Sequence, residues 1–175
     1  MPGFDEELLS RFRWIGGHAD VLGLLADGGF FARSVAALAE PFEKARVTKV
    51  AGVEARGFVF GAAVAMRLGA GFVPVRKLGS VHPGPKAVRV SSLDWRGQSL
   101  TYQLQRAAVA GGDRVLLVDD WAETGSQALA SRSLIEECRG AWVGLSLLVD
   151  QLDESVRRRL EPVVSIVRHE QLPSG

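Results

Sequence analysis

Apolar residues recur along this chain with two different periods. Val47–Val53, Gly71–Lys77, Ala141–Val149 and Pro162–Val167 are short aliphatic runs that predict strands, and Leu100–Leu104 predicts another returning toward them. Between them, apolar residues fall three and four apart. Leu8, Leu9 and Phe12 do so within 5–13, and Phe31, Val35, Leu38 and Ala39 within Phe30–Phe42. These stretches predict helices, as does the alanine-rich Phe58–Leu68, where Gly61 would allow close packing on the sheet. Ala128–Cys138 has a helical composition, and Asp153–Leu160 predicts a short charged helix. Trp14–His18 and Asp27–Gly29 are glycine breaks, Gly111–Asp113 is a turn, and Arg139 with Gly140 is a helix stop. Strands alternating with helices predict an α/β fold: an open, mainly parallel sheet with helices on both faces and ligands at the carboxyl ends of the strands.

The chain is organised around Arg114–Gln127. Val115–Val118 reads as a strand buried on both faces. Asp119 and Asp120 end it, a short loop carries Thr124 and Gly125, and the Ala128–Cys138 helix follows. The loop amides and the helix N-terminus offer an anion site. The two carboxylates suit the vicinal hydroxyls of a sugar phosphate, or a nearby magnesium ion. An ordinary strand-to-helix turn, with both acids only capping and solvated, fits the same residues.

Two further loops leave predicted strands in the same sense. Glu54-Ala55-Arg56-Gly57 follows Val53, an anion-binding layout that also fits a plain turn with a surface arginine. Arg76 and Lys77 end the next strand and lead into Leu78–Gly97. Gly79, Pro83, Gly84, Pro85 and Gly97 punctuate that segment, which predicts a flexible lid loop or a surface excursion. His18 reads as a loop or surface histidine, Trp142 as core or interface, and Asp150 and Asp153 as helix caps.

Bulk properties narrow the partners. At 175 residues one domain with a sizeable core is expected. A net charge of +1 with interspersed signs argues against nucleic acid held by charge alone. The single cysteine, Cys138, excludes an internal disulfide and reads as a small core residue. Acids near the start stand where a signal peptide needs a basic segment, and no apolar stretch is long enough to cross a bilayer. A cytoplasmic protein with no membrane partner is expected.

The stretch Val115–Gly125 resembles the phosphoribosyl-diphosphate (PRPP) signature of the type I phosphoribosyltransferases. Ser126 and Gln127 depart from the residues that often close that loop. Ala51–Gly61 looks like the pyrophosphate loop of adenine phosphoribosyltransferases, with Glu54 and Ala55 where Asp and Ser are usual. Arg76–Gly79 with Pro83-Gly84-Pro85, then Ser91–Trp95, parallels that family's flexible loop, without its further lysine. The likeness spans about residues 45–167 and implies a single domain over 1–175, with 1–45 as N-terminal cover and helices and 46–175 as PRPP-binding core. At the cover, His18-Ala19-Asp20-Val21 keeps only the acid and the aliphatic of the family's run.

The resemblance implies transfer of ribose 5-phosphate from PRPP to a purine, adenine foremost, with magnesium carried by PRPP near Asp119 and Asp120. It implies that these two acids hold the ribose hydroxyls, that Glu123, Thr124, Gly125, Ser126 and Gln127 cradle the 5′-phosphate, and that Arg56, Gly57, Arg76 and Lys77 hold the pyrophosphate. Trp121 and Val21 would lie at the base, with Asp94 as proton partner of a base nitrogen. A homodimer is implied. The same fold acting on another base, or a PRPP-binding regulator without turnover, is the alternative.

Overall fold

A seven-stranded sheet forms because the predicted aliphatic runs are buried on both sides. The structure, a computed structural model, describes residues 3–174. Helix α1 is Phe4–Arg11, followed by a two-residue hairpin, β1 Trp14–Ile15 and β2 His18–Ala19. Gly16 and Gly17, at φ 57° and 77°, supply the left-handed turn between them. The short α2 is Val21–Leu24, and α3 is Gly28–Ala39, capped by the Asp27 carboxylate on the amides of Gly29 and Phe30. The helix expected over Phe30–Phe42 thus starts two residues earlier, and its end tightens to a 3-10 turn at Glu40–Phe42, where Pro41 sits.

The core follows as β3 Lys49–Val53, α4 Arg56–Leu68, β4 Gly71–Lys77, β5 Lys86–Val90, β6 Thr101–Gln105, β7 Arg114–Ala122, α5 Ser126–Glu137, β8 Ala141–Asp150, α6 Glu154–Leu160 and β9 Val163–Arg168. Strand order is β5-β6-β4-β3-β7-β8-β9. β4, β3, β7, β8 and β9 run parallel, while β5 and β6 form an antiparallel hairpin at one edge. Leu78–Gly97 is therefore not loop throughout. Ala87 of β5 is buried against the core, and that apolar contact with the ladder to β6 orders the middle of the segment.

Both faces of the sheet are covered. Val115 and Leu117 of β7 pack with Leu134 and Ile135 of α5 and Leu160 of α6. Leu116 and Val118 pack on the other side with Phe60 and Val64 of α4 and Leu38 of α3. Gly52 permits the tight exit of β3, since a Cβ there would stand 2.1 Å from the Gly57 carbonyl oxygen. Gly61 likewise lets α4 approach Phe72 and Gly52, as its position in the sequence suggested.

Register decides where the loops emerge. Val53 pairs with Val75, Gly52 with Val118, Ala122 with Asp150, and Asp150 with Arg168. The loops after β3, β4, β7, β8 and β9 thus leave the sheet along one edge. Asp150 is not only a cap. It is fully buried, accepts from the Leu152 amide, and pairs with Arg157 and, at 2.7 Å, with Arg168. Asp153 stands at the start of α6 without a side-chain capping bond. Trp142 is half-buried against the core with its indole N–H donated to the Leu160 carbonyl, and Cys138 is buried, its thiol pushed up by burial. Among the described residues no helix is long and apolar enough to cross a membrane.

Candidate active site

A cavity of about 360 Å³ opens at that edge, over the carboxyl end of β7. The strand continues through the acidic pair to Ala122, so Asp119, Asp120 and Trp121 are held by the ladder to β8, not by a loop. The chain then turns at Gly125, φ 68°, where a Cβ would lie 2.5 Å from Val156. The Thr124 hydroxyl accepts from the Ser126 amide and donates to the Ser126 hydroxyl at 3.1 Å. Beyond that contact no side chain caps the N-terminus of α5, so the Gln127 and Ala128 amides have no partner among the described residues, and Ser126, Gln127 and Ala128 of the first turn line the cavity. Unsatisfied amides and the helix dipole make that wall attract an anion.

The acids sit opposite this wall. Asp120 is 3% exposed, and its Oδ2 lies 3.0 Å from Arg56 Nε, the first residue of α4. The contact is ionic without hydrogen-bond alignment, so this buried oxygen still lacks a donor. Asp119 accepts the Asp120 amide and sits directly above Gly57, where a Cβ would come within 2.9 Å of Oδ1. Burial and the neighbouring carboxylate push Asp119 well above the usual carboxylate range. Burial also raises Asp120, against the pull of Arg56. Two like charges with one counter-charge form a site that binding of hydroxyl donors or a cation would relieve.

The loop after β3 is braced by its acid. Glu54 accepts from the Lys77 amide at 3.0 Å and the Ser80 hydroxyl at 2.9 Å, and meets Arg76 at 3.4 Å. Burial opposes its ionisation, but these bonds win and hold Glu54 below the usual carboxylate range. The other end of Arg76 donates to the Val81 carbonyl at 2.6 Å.

The opposite end of the cavity is aromatic. Trp14, Trp121 and His169 meet edge to face, with ring centres 6.0 Å apart for the two indoles and 5.7 Å for Trp121 and His169. Trp14 donates to the Pro173 carbonyl, and Trp121 donates to Gln151 Oε1 at 2.9 Å.

Of the residues singled out from sequence, Arg56, Asp94, Asp119, Trp121 and Glu123–Gln127 line this one cavity. Asp120 lies just behind Arg56, and Gly57 beneath Asp119. Arg76 and Lys77 lie off the cavity, and Val21 is buried in the core under α3 and α4. Asp94 reaches the rim from the β5–β6 connection, where its Oδ1 accepts the amides of Arg96 and Gln98. Trp14, Gln151 and His169 line the cavity without having been singled out, and His18, read from sequence as a loop or surface histidine, lines it too. The rule that flagged the exits of β3, β4 and β7 would have found Gln151 and His169, each following a strand end.

No protein-family model matches the chain. It is 40% identical over 170 residues to the adenine phosphoribosyltransferase of Streptomyces coelicolor, covering 93% of this chain and 92% of that one. With the adenine phosphoribosyltransferase of Cereibacter sphaeroides it is 43% identical over 142 residues, 81% of this chain and 78% of that one. Among solved structures, adenine phosphoribosyltransferase from Rhodothermus marinus superposes with a TM-score of 0.84 at 32% identity, covering 94% of this chain and 98% of that one. The Saccharomyces cerevisiae enzyme, complexed with an imino-altritol bisphosphate and adenine, gives 0.82 at 26% identity, covering 93% and 98%. The chain belongs to the adenine phosphoribosyltransferase family of type I phosphoribosyltransferases.

Proposed function

We propose that this protein transfers the 5-phosphoribosyl group of PRPP to adenine, giving AMP and pyrophosphate, a purine-salvage reaction. The observation that carries the reading is one cavity holding an underneutralised carboxylate pair, an open helix N-terminus and a flat aromatic end. Each part answers one part of the substrates: ribose diol, phosphate and base.

In the reaction, N9 of the base forms a bond to the anomeric carbon as the bond to pyrophosphate breaks, and the ring proton, carried at N7 when N9 is the nucleophile, passes to the Asp94 carboxylate. Positive charge develops on the ribose, so the protein contributes positioning and electrostatics. Asp119 and Asp120 accept the ribose hydroxyls. The Thr124 and Ser126 hydroxyls and the Gln127 and Ala128 amides receive the 5′-phosphate. Backbone donors serve there, so the unusual side chains of Ser126 and Gln127 do not remove the anion site, and Glu123 lines the cavity beside it. Arg56, over the buried Gly57, and exposed Lys77 face the pyrophosphate, while Arg76 braces the Glu54 loop. Asp94 is the proton partner of the base, Trp121 packs on its face, and Val21 supports from below the cover made by residues 1–45.

No cluster of three His, Cys, Asp or Glu side chains among the described residues could cage a metal ion. The donor-poor Asp120 oxygen and its raised neighbour fit an ion that brings its own ligands. Magnesium bound with PRPP would supply charge neutralisation on the diphosphate, beside Asp119 and Asp120. Exposed Leu78, Val81, Val88 and Val90 support a homodimer that covers them. The near-neutral charge supports an enzyme that holds no nucleic acid by charge, and a cytoplasmic location belongs to the same reading.

The test is incubation with PRPP, magnesium and one of adenine, hypoxanthine, guanine or uracil, reading pyrophosphate release. Release with adenine well above the others is expected. Turnover of uracil, or of no base, would overturn the reading.

A further inference from the structure

We propose that Gln151 selects the base by donating its side-chain N–H to an unprotonated ring nitrogen, with Trp121 fixing the orientation that makes this possible. The inference rests on the reaction proposed above and concerns how the base is chosen.

The two hydrogen-bonding groups are asymmetric. An indole N–H can only donate, whereas an amide side chain can turn either its oxygen or its nitrogen outward. Trp121 Nε1 lies 2.9 Å from the Gln151 side chain, so the group facing it must be the oxygen. The nitrogen with its two hydrogens is thereby turned away from the indole. Among the described residues it has no hydrogen-bond partner, and Gln151 lines the cavity. The result is an oriented donor at the base end.

Both partners are held. The Gln151 backbone N–H donates to the Ala122 carbonyl at 2.9 Å, fixing the chain where β8 ends beside β7. The Trp121 ring packs against Phe12, Trp14 and His169, with centres 6.3, 6.0 and 5.7 Å away. Trp14 cannot offer the same contact, because its N–H is engaged by the Pro173 carbonyl at 2.8 Å. Preorganised donors lose little freedom when a ligand arrives, so one well-placed bond discriminates effectively.

The chemistry of the base narrows the acceptor. N9 is the reacting atom, and N7 faces Asp94 in the proposed reaction. The remaining ring acceptors of adenine are N1 and N3. A donor facing N1 would also reject hypoxanthine and guanine, which carry a hydrogen there.

The experiment combines Gln151→Ala, Gln151→Glu, Trp121→Phe and the double variant Trp121→Phe/Gln151→Ala with adenine, 1-deazaadenine and 3-deazaadenine. Gln151→Ala should raise KM for adenine about tenfold, with kcat and KM for PRPP within about twofold. Gln151→Glu, which still accepts from Trp121 but cannot donate, should lose at least as much. Trp121→Phe keeps the aromatic wall and frees the amide to turn. Its loss should resemble that of Gln151→Ala, with no further loss in the double variant. One deaza base should bind about tenfold worse than adenine to the parent and no worse to Gln151→Ala, which names the nitrogen. Adenine calorimetry with ribose 5-phosphate and magnesium pyrophosphate present measures the same differences without turnover.

An unchanged adenine affinity in Gln151→Ala, full affinity in Gln151→Glu, or deaza penalties that persist in Gln151→Ala would overturn the proposal. A parent protein without turnover on any base would instead overturn the proposed reaction, leaving the calorimetric comparison to decide Gln151.

Discussion

The two ends of the cavity are built by opposite strategies. The end proposed for phosphate comes from one unbroken segment, Asp119 to Ala128, in which a strand delivers carboxylates and a helix delivers amides. The end proposed for the base is assembled from side chains of residues 14, 121, 151 and 169, carried by different elements. A charged, invariant chemical group such as a phosphate is satisfied by backbone geometry that a short segment encodes. A flat base needs walls and edge contacts from several directions, which only chain closure provides. The first end should therefore fail through charge, and the second through shape and orientation.

The largest effect expected is at the carboxylate pair. Asp119→Asn with Asp120→Asn preserves shape and removes both charge-assisted acceptors, each contributing about 1.5–3 kcal/mol. PRPP affinity by calorimetry should fall by about two orders of magnitude or more. Unchanged affinity would mean that the carboxylates are not the ribose site.

Next is Asp94, which bridges the two ends. Asp94→Asn keeps an oxygen for the amides of Arg96 and Gln98, so the turn survives while the carboxylate is lost. kcat with adenine should drop about a hundredfold in both Asp94→Asn and Asp94→Ala, with KM for PRPP little changed. A full-speed Asp94→Asn enzyme would reduce Asp94 to a turn cap.

A smaller effect concerns stability. Asp119 holds its proton more tightly in the folded protein than an ordinary aspartate does in the unfolded chain. The folded state therefore binds more protons across that window, and stability must fall as pH rises through it. Asp119→Asn removes the charge and should raise the ligand-free Tm at pH 7 by ~2–4 °C, equivalent to about 1 kcal/mol. The difference should vanish near pH 3, where the parent residue is neutral. PRPP affinity runs the other way, weakening as pH falls and the acceptor is protonated. A ligand-free Tm at pH 7 that is unchanged or lower in Asp119→Asn would remove the charge conflict from this end.

The smallest effect concerns the segment that joins the ends. Residues 79–84 and 92–99 lie outside the strand ladders, whereas Lys86–Val90 pairs with Thr101–Gln105, the Leu78 and Ser91 amides extend the pairing to the Thr101 and Leu100 carbonyls, and Arg89 reaches Glu137 of α5 at 2.7 Å. Amide exchange should be fast in the two flanks without ligand and slow with PRPP and adenine, while the strands between them change little. Flanks indifferent to ligand would argue against a lid.

The aliphatic runs and helical spacings of the core were legible because both are local patterns set by strand and helix periods. Val115–Val118 announced a strand buried on both faces, and the acids, small polar loop and helix start after it marked a candidate site for hydroxyls and an anion without reference to any other part of the chain. The hairpin strand Lys86–Val90 was hidden among glycines and prolines, since it exists only through its pairing with β6 and the burial of Ala87. Arg76 shows the same limit: its position after a strand is local, but its engagement by Glu54 and the Val81 carbonyl depends on another loop.

Sequence by itself determined the strand–helix alternation, the carboxyl-end loops and the chemistry of Asp119–Gln127, because neighbouring residues create those features. Tertiary structure alone decided that Trp14, Trp121, Gln151 and His169 meet, and which way the Gln151 amide points. Hydrogen-bond direction between residues 30 apart is set by parallel strand register, with Ala122 beside Asp150, and no local pattern carries it.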